Sequence, residues 1–136
     1  MDALTRTQQS IHGGHIDRIP VFPILLAPAC HLLGVNQRDF LTNSEVLADT
    51  LLQTRDIFDF DGIYVSRDNW VYHEALGGKL AFPDDDETFS KEIILSKMKD
   101  FHSLTVPDPW NSKGMKTVLE AAKRVVQKTR GKYYIQ

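Results

Sequence analysis

The sequence predicts an α/β fold with a parallel sheet, and three patterns along the chain indicate this class. Residues 20–26 form a compact apolar run without polar alternation, which is typical of a strand buried on both faces. Residues 62–66 are rich in β-branched and aromatic side chains and predict a second strand. Helical patterns separate these strands from a third at residues 132–136, and such alternation indicates parallel strands.

Capping residues and glycines set the predicted helix boundaries. Gly13 and Gly14 end the first helix, and Asn43 or Ser44 can cap a longer one. The acidic, proline-containing stretch 82–87 is expected to be an exposed loop. The helices are predicted over residues 3–12, from 43 or 44 to about 58, and over 70–76, 96–101 and 116–130.

Two of these helices carry an apolar face that should pack against the rest of the fold. The spacing of the apolar positions follows the helical repeat, so each set lies on one side of its helix. In the helix that ends near residue 58 the stripe is Leu47, Leu51, Thr54 and Phe58. In the last helix it is Leu119, Ala122, Val125 and Val126.

Composition excludes several classes of protein. The chain has 136 residues, of which 42% are hydrophobic and 25% charged, and its formal net charge is −2. This balance implies no attraction to nucleic acid or to an anionic membrane. No apolar stretch approaches the roughly 20 residues of a membrane span, and the N-terminus has no secretory pattern. Cys30 is the only cysteine, which excludes a disulfide framework and predicts a cytoplasmic setting.

Length limits how complete the fold can be. A closed barrel of eight strand–helix units needs roughly 250 residues, so this chain is either part of a larger barrel or a small open α/β sheet. In isolation it would leave helix faces and sheet edges uncovered. We therefore expect the isolated chain to aggregate, or to pair through its edge strands.

Three ordered segments carry a resemblance to a known family. They are residues 17–21 (DRIPV), residues 58–68 followed by EALGG at 74–78, and residues 104–109 (LTVPDP). Their order and spacing resemble the opening of the uroporphyrinogen decarboxylase superfamily over nearly the whole chain. The superfamily contains the haem-pathway decarboxylase and the methylcobalamin:coenzyme M methyltransferases. The resemblance implies the N-terminal part of a (β/α)8 TIM barrel, incomplete in this chain, with residues 1–136 belonging to a single barrel domain.

The resemblance also indicates where the site lies. Barrel enzymes carry their chemistry at the C-terminal ends of the strands, which here follow Leu26 and Ser66. The aspartate with which the decarboxylase binds pyrrole N–H groups aligns with Asp68, which is our catalytic candidate. The other reading of Asp68 is a cap for the helix that begins near Trp70.

Three neighbours of Asp68 are candidates for binding substrate. They are Asn69, His73 and Glu74, on the segment that follows the second strand. Glu74 can equally be a carboxylate on a helix surface, and His73 is the weaker candidate of the pair. No metal site is predicted within this chain. His12 and His15 are separated by two glycines that disfavour a helix, and Cys30 is expected to be a small buried side chain.

One departure from the decarboxylase pattern argues against its activity. In the decarboxylase that this chain resembles, the first strand is followed by an Arg-Gln-Ala-Gly-Arg signature. Its arginines hold the carboxylates of the tetrapyrrole. The matching stretch here is Leu25-Leu26-Ala27-Pro28-Ala29, which has neither arginine. A substrate with eight carboxylates needs bidentate cationic partners, and neutral aliphatic side chains cannot supply them.

The resemblance to the methyltransferase branch is therefore the better guide to function. Its Glu-Ala-Leu-Gly stretch is reproduced at residues 74–77. It implies corrinoid-dependent methyl transfer by the full-length protein, with methylcobalamin and zinc as cofactors and a corrinoid protein as partner. The zinc ligands of that branch lie later in the barrel than residue 136. Two alternatives remain: uroporphyrinogen decarboxylation, with a tetrapyrrole as the small-molecule partner, and a non-catalytic truncated barrel that acts as a binding partner, with oligomers possible.

Overall fold

The computed structural model describes residues 1–83 and 88–136. Within these ranges four helices precede the first of the very short strands, and the fold is mixed α/β, as predicted. The elements are α1 (Ala3–Ile11), α2 (Ala27–Leu33), α3 (Gln37–Thr42), α4 (Ser44–Phe58), β1 (Gly62–Ile63), α5 (Val71–Ala75), β2 (Leu80–Ala81), β3 (Phe89–Ser90), a 3₁₀ helix (Met98–Ser103), α6 (Lys113–Thr129) and β4 (Tyr134–Ile135).

The parallel pair β1 and β4 is the centre of the fold. Gly62 lies opposite Tyr134 in this register. Beyond the assigned strands, Gln136 donates to the Ile63 carbonyl at 3.0 Å and accepts from the Val65 N–H at 2.7 Å. The second and third predicted strands are therefore confirmed, although they are shorter than expected. Because α5 and α6 lie between them in sequence, the two strands and their helices form a β–α–β unit.

The prediction of a first strand at residues 20–26 is wrong. The segment forms no assigned strand, and it is not buried on both faces. The segment runs beside β1, where the Asp61 N–H donates to the Val21 carbonyl at 3.1 Å. The Val21 N–H instead donates to a side-chain oxygen of Asp61, at 2.8 Å. Pro20 and Pro23 have no N–H to continue the ladder. Ile24 is 63% exposed because no other described element covers it.

Close packing of α4 against α6 forms most of the core. Asn43 begins α4 by accepting backbone N–H bonds from Glu45 and Val46, which confirms it as a cap. Two positions of the predicted stripes are wrong, since Phe58 and Val126 are both about half exposed. The buried face of α6 carries small or β-branched side chains: Gly114, Thr117, Ala121, Val125 and Thr129.

An antiparallel pair, β2 and β3, follows α5 and was not predicted. Leu80 lies opposite Ser90 in this pair. Phe82 and Pro83 leave β2 without regular structure, as the predicted loop requires, while the acidic run at 84–87 lies outside the described residues. The short helix predicted at 96–101 is a 3₁₀ helix shifted two residues along the chain. No helix within the described ranges is long and apolar enough to cross a membrane.

A buried ion cluster ties the N-terminus to the start of β1. Asp61, 1% exposed, accepts hydrogen bonds from Arg6 at 2.5 Å and from Arg18 at 2.6 and 3.0 Å. Arg6 also donates to both oxygens of Asp17, at 2.7 and 2.9 Å. The carboxylate of Asp61 thus accepts hydrogen bonds from two arginines and from the Val21 N–H. The cluster lies at the N-terminal end of β1, where barrel proteins place residues that serve stability.

The cluster holds its carboxylates ionised in acid. Burial alone would raise the pKa of Asp61, but hydrogen bonds from Arg18, from the Val21 N–H and from Arg6 outweigh it and lower that pKa below its usual range. The hydrogen bonds from Arg6 hold the pKa of Asp17 well below its usual value. A lowered pKa in the folded state stabilises the fold above the unfolded-state pKa, and that stabilisation is lost as pH falls through the folded value.

We expect Asp61→Asn to lower the free energy of unfolding of the full-length protein by about 3 kcal/mol at pH 7, because it leaves two arginines without their shared carboxylate. The difference from wild type should shrink as pH falls below about 4, because the carboxylate of the unfolded wild-type chain becomes protonated there, and it should vanish once pH falls below the lowered pKa of the folded state. Urea unfolding at pH 7, 5 and 3 measures both effects. Asp56→Asn is the control, since Asp56 is a 71% exposed partner of Arg55. Equal effects of the two substitutions would contradict this role for Asp61.

The isolated 136-residue chain should self-associate through the uncovered segment beside β1. Ile19, Val21 and Ile24 are exposed there by 78%, 47% and 63%. We expect oligomers or larger aggregates in size-exclusion chromatography with light scattering, and fewer of them in a Val21→Lys, Ile24→Lys variant. A wild-type chain that is monodisperse, monomeric and cooperatively melting would show that these residues drive no association.

Candidate functional site

A cleft opens where β1 ends and α5 begins. Its volume is about 250 Å³. The segment beside β1 supplies one wall, α3 supplies a second, and the residues that follow β1 supply the floor. Ile24, Leu26, Ala27, Pro28, Gln37, Phe40, Leu41, Arg67, Asp68, Asn69, Trp70 and Thr88 line it. The residues that follow Leu26 and those that follow Ser66, the two places at which chemistry was predicted, therefore meet in one cleft, although the first does not end a strand.

Asp68, the predicted catalytic residue, lies in the floor of this cleft with its side chain 13% exposed. Oδ1 accepts a hydrogen bond from the Trp70 N–H at 2.8 Å. Oδ2 lies 3.4 Å from Arg67 Nε and has no hydrogen-bond partner among the described residues. The N-cap of α5 is Trp70 and not Asp68, so the capping reading of Asp68 is wrong. Oδ1 closes a turn just before the helix, and Oδ2 is buried against Arg67.

Arg67 is buried beneath the cleft and is the largest fully buried side chain of the described residues. Nη1 donates to the Leu41 carbonyl at 3.3 Å, and the guanidinium lies 5.4 Å from the centre of the Phe82 ring. Nη2 is 3.0 Å from Glu74 Oε2, but the two atoms are not aligned as a hydrogen bond. Arg67 is thus a cation held between the carboxylates of Asp68 and Glu74.

Glu74 lies behind the cleft rather than in it, since its side chain is directed at Arg67. The N-terminus of α6 approaches the same place, and a Cβ added to Gly114 would meet Glu74 Oε2 at 2.3 Å and Arg67 Nη1 at 2.9 Å. The positive end of the α6 dipole therefore faces a carboxylate, which is the favourable arrangement. Neither the exposed-surface reading of Glu74 nor direct contact with a ligand in this cleft fits this position.

His73 and Asn69 occupy different places. Asn69 is exposed and lies with Asp68 in the lining of the cleft. His73 Nε2 is 2.7 Å from Ser90 Oγ, and its ring meets Trp70 edge-on at 5.6 Å between centroids. It lines a separate apolar cleft beside β3. The structure thus brings Asp68 and Asn69 together, links Glu74 to them through Arg67, and directs His73 elsewhere.

Sequence reasoning missed the role of Arg67. A signal was present, because an arginine directly after an apolar strand is placed where burial needs a paired carboxylate. Asp68 adjoins it and Glu74 follows seven residues later, on the next helix. Only the tertiary fold shows that both carboxylates reach it.

The described residues offer no site for a metal ion. Within residues 1–83 and 88–136, no group of three or more His, Cys, Asp and Glu side chains converges on one point. Cys30 is 3% exposed in the core, as expected for a small buried side chain, and burial raises the pKa of its thiol to about 11.

The fold is that of part of a barrel enzyme. A solved methyltransferase from Methanosarcina mazei matches with a TM-score of 0.81 at 20% sequence identity, over 99% of this chain and 41% of its own length. The predicted class, the N-terminal part of a TIM barrel that is incomplete here, is thereby confirmed. The chain spans less than half the length of that methyltransferase.

The family follows from the sequence. The family model for uroporphyrinogen decarboxylase (URO-D) matches residues 2–135, and the chain belongs to this family. No curated protein matches the chain. The resemblance noted in the three ordered segments is therefore confirmed at the level of the superfamily.

Cys30 should react slowly with thiol reagents in the folded protein. A pKa of about 11 leaves almost no thiolate at pH 8, and burial blocks approach of the reagent. We expect labelling of the Cys30 peptide, followed by mass spectrometry, to be at least about a hundredfold slower in the folded full-length protein than in urea. Rapid labelling of the folded protein would contradict the buried position.

Proposed function

We propose that the full-length protein serves corrinoid-dependent methyl transfer, and that this chain supplies one wall and the floor of the cleft that receives the corrinoid. The observation that carries the proposal is the charge of the cleft. Among its described lining residues, Arg67 is the one basic side chain, and it is buried between two carboxylates. The cleft therefore suits a large neutral ligand better than a polyanion.

The same charge argues against uroporphyrinogen as the ligand. Arg67, Asp68 and Glu74 together carry one net negative charge, and the apolar stretch at 25–29 offers no cation to compensate for it. Two like unit charges 4 Å apart repel by about 4 kcal/mol at an effective dielectric of about 20. A ligand with eight carboxylates would meet such repulsion without an arginine to offset it.

Methylcobalamin, unlike uroporphyrinogen, brings no carboxylates to this negatively charged cleft. Its corrin ring has apolar faces, and neutral amide side chains surround its rim. Ile24 and Leu26 present apolar surface to the cleft, and Asp68 and Asn69 line it with side-chain oxygens that can accept amide N–H groups. When bound, the corrinoid supplies an activated methyl group, while these residues hold and orient the ring and exclude water from its face.

In this proposal, zinc would be bound by residues of the full-length protein other than those described here. The described residues do not supply a zinc site, so no step of the reaction is assigned to zinc through this chain. We also propose a corrinoid protein as partner, because a cofactor that a partner protein carries can enter only a cleft that is open. The cleft is open at the C-terminal end of β1, which is the end that barrel enzymes present to their ligands.

Uroporphyrinogen decarboxylation is the second candidate, and one observation favours it. Asp68 stands at the position of the aspartate that binds pyrrole N–H groups in the resemblance described above, and it lies in the lining of the cleft. An ionised carboxylate can accept from pyrrole nitrogens as well as from amides. The ligand's charge therefore decides between the two functions.

Binding of cobalamin to the full-length protein tests the proposal. We expect methylcobalamin to bind, as measured by isothermal titration and by its visible absorbance, and Asp68→Asn to weaken binding by about tenfold, because a hydrogen bond to a charged acceptor becomes a neutral one. An asparagine oxygen can still accept from the Trp70 N–H, so α5 should form. Asp56→Asn, which changes an exposed carboxylate on α4, is the control.

The alternative is tested on the same preparation. Release of carbon dioxide from uroporphyrinogen, together with no measurable binding of methylcobalamin, would replace methyl transfer by decarboxylation. Binding of neither compound would leave a non-catalytic role for the barrel.

A further inference from the structure

We propose that Arg67 and Glu74 are positioning residues that act through Asp68, and that this cluster makes the cleft select amide-rimmed over carboxylate-rimmed macrocycles. The inference rests on the proposed function, because it concerns the ligand of the same cleft. It adds two residues that do not face the ligand and a glycine on α6 that keeps them in place.

The contacts of Arg67 fix the carboxylate of Asp68 from behind. Nε lies 3.4 Å from Asp68 Oδ2, while the Trp70 N–H holds Oδ1 at 2.8 Å. A hydrogen bond thus holds Oδ1, and the charge of Arg67 faces Oδ2 without one. The guanidinium cannot rotate freely, because Nη1 is bonded to the Leu41 carbonyl and the side chain is 1% exposed. A planar, always-charged group suits this task better than a flexible ammonium.

Glu74 in turn fixes Arg67, and α6 fixes Glu74. Its Oε2 lies 3.0 Å from Arg67 Nη2 at the N-terminal end of α6. Gly114 leaves the space for this contact, since any side chain there would displace Glu74 or Arg67. A glycine near a helix start costs backbone entropy, so its small size needs a packing reason, and this contact supplies one.

The hydrogen bonding of the cluster is incomplete. Arg67 Nε and Nη2, Asp68 Oδ2 and Glu74 Oε2 are all buried and have no hydrogen-bond partner among the described residues. Buried polar groups in native proteins are normally paired, and exceptions concentrate at functional sites. A cluster that served stability alone would gain by replacement with apolar side chains, whereas a cluster that sets the charge of a ligand site would not.

The charge of the cluster gives it a selective effect. One cation between two carboxylates leaves a net negative charge beneath the cleft, and screening by water is weak around the buried guanidinium. A neutral macrocycle can donate amide N–H groups to Asp68. A carboxylate-rimmed macrocycle of the same shape meets repulsion there.

Two corrinoids of matched shape test the inference in the full-length protein. Dicyanocobinamide carries amides on its rim, and dicyanocobyrinic acid carries carboxylates, so the ratio of their dissociation constants measures selection by charge. We expect wild type to favour the amide by at least tenfold. Glu74→Gln, which removes one negative charge from the cluster, should lower that preference at least threefold, and Glu120→Gln, at an exposed pair on α6, should leave it unchanged.

Gly114→Ala tests positioning without changing charge. We expect it to weaken binding of the amide probe at least threefold, because the new methyl group displaces Glu74 and Arg67. The control is Gly14→Ala, where the added carbon meets only the flexible end of Gln9. Thermal melting accompanies each variant, so that loss of folding is not read as loss of binding, and Gly114→Ala carries the test if Glu74→Gln does not fold.

The outcomes separate the two proposals. If wild type binds neither corrinoid, the proposed function fails and the inference fails with it. If wild type prefers the amide and both Glu74→Gln and Gly114→Ala leave binding unchanged, the inference alone is overturned. A purely structural role is shown if a variant lowers Tm and weakens both probes equally, since the ratio then stays constant.

Discussion

The buried carboxylate of Asp61 is the interaction on which the rest of the structure depends. It receives Arg6 from α1, Arg18 from the connecting segment and the N–H of Val21, and so joins three stretches of chain to the start of β1. Apolar packing alone would not fix the segment at 20–26, because its prolines cannot form a ladder. An ionised acceptor with several donors can, since charge-assisted hydrogen bonds are stronger and more directional than dispersion contacts.

Because Asp61 fixes the start of β1, it also determines where the residues at the other end of this strand lie. With the start of β1 fixed, the residues that follow it are carried to a single place, where Arg67 and Asp68 meet the apolar wall formed by Leu26 and Phe40. The two ends hold opposite kinds of ion cluster. Asp61 is surrounded by cations that satisfy it, whereas Arg67 is surrounded by carboxylates whose hydrogen bonding is incomplete. Such division between a stable end and a reactive end is usual in barrel folds.

Helices and caps were the part of the fold most open to prediction, because their signals are local. Asn43 caps α4, and the αL conformation of Gly13, with φ of 71°, follows the first helix. The same local reasoning failed for the segment at 20–26. Its composition is that of a buried strand, but strand formation depends on donors of a neighbouring chain segment, and Asp61 satisfied the Val21 N–H with a side chain instead.

The sequence by itself determined the α/β class and the lack of cations along residues 25–29, since both follow from residue type and order, while its resemblance to the uroporphyrinogen decarboxylase superfamily made Asp68 a candidate. Only the tertiary structure decided which candidates share a cleft. It directed His73 toward Ser90 and turned Glu74 toward Arg67. The physical reason is that a side chain's partner is set by the approach of elements distant in sequence, as when α6 meets α5 at a glycine, and no local pattern contains that distance.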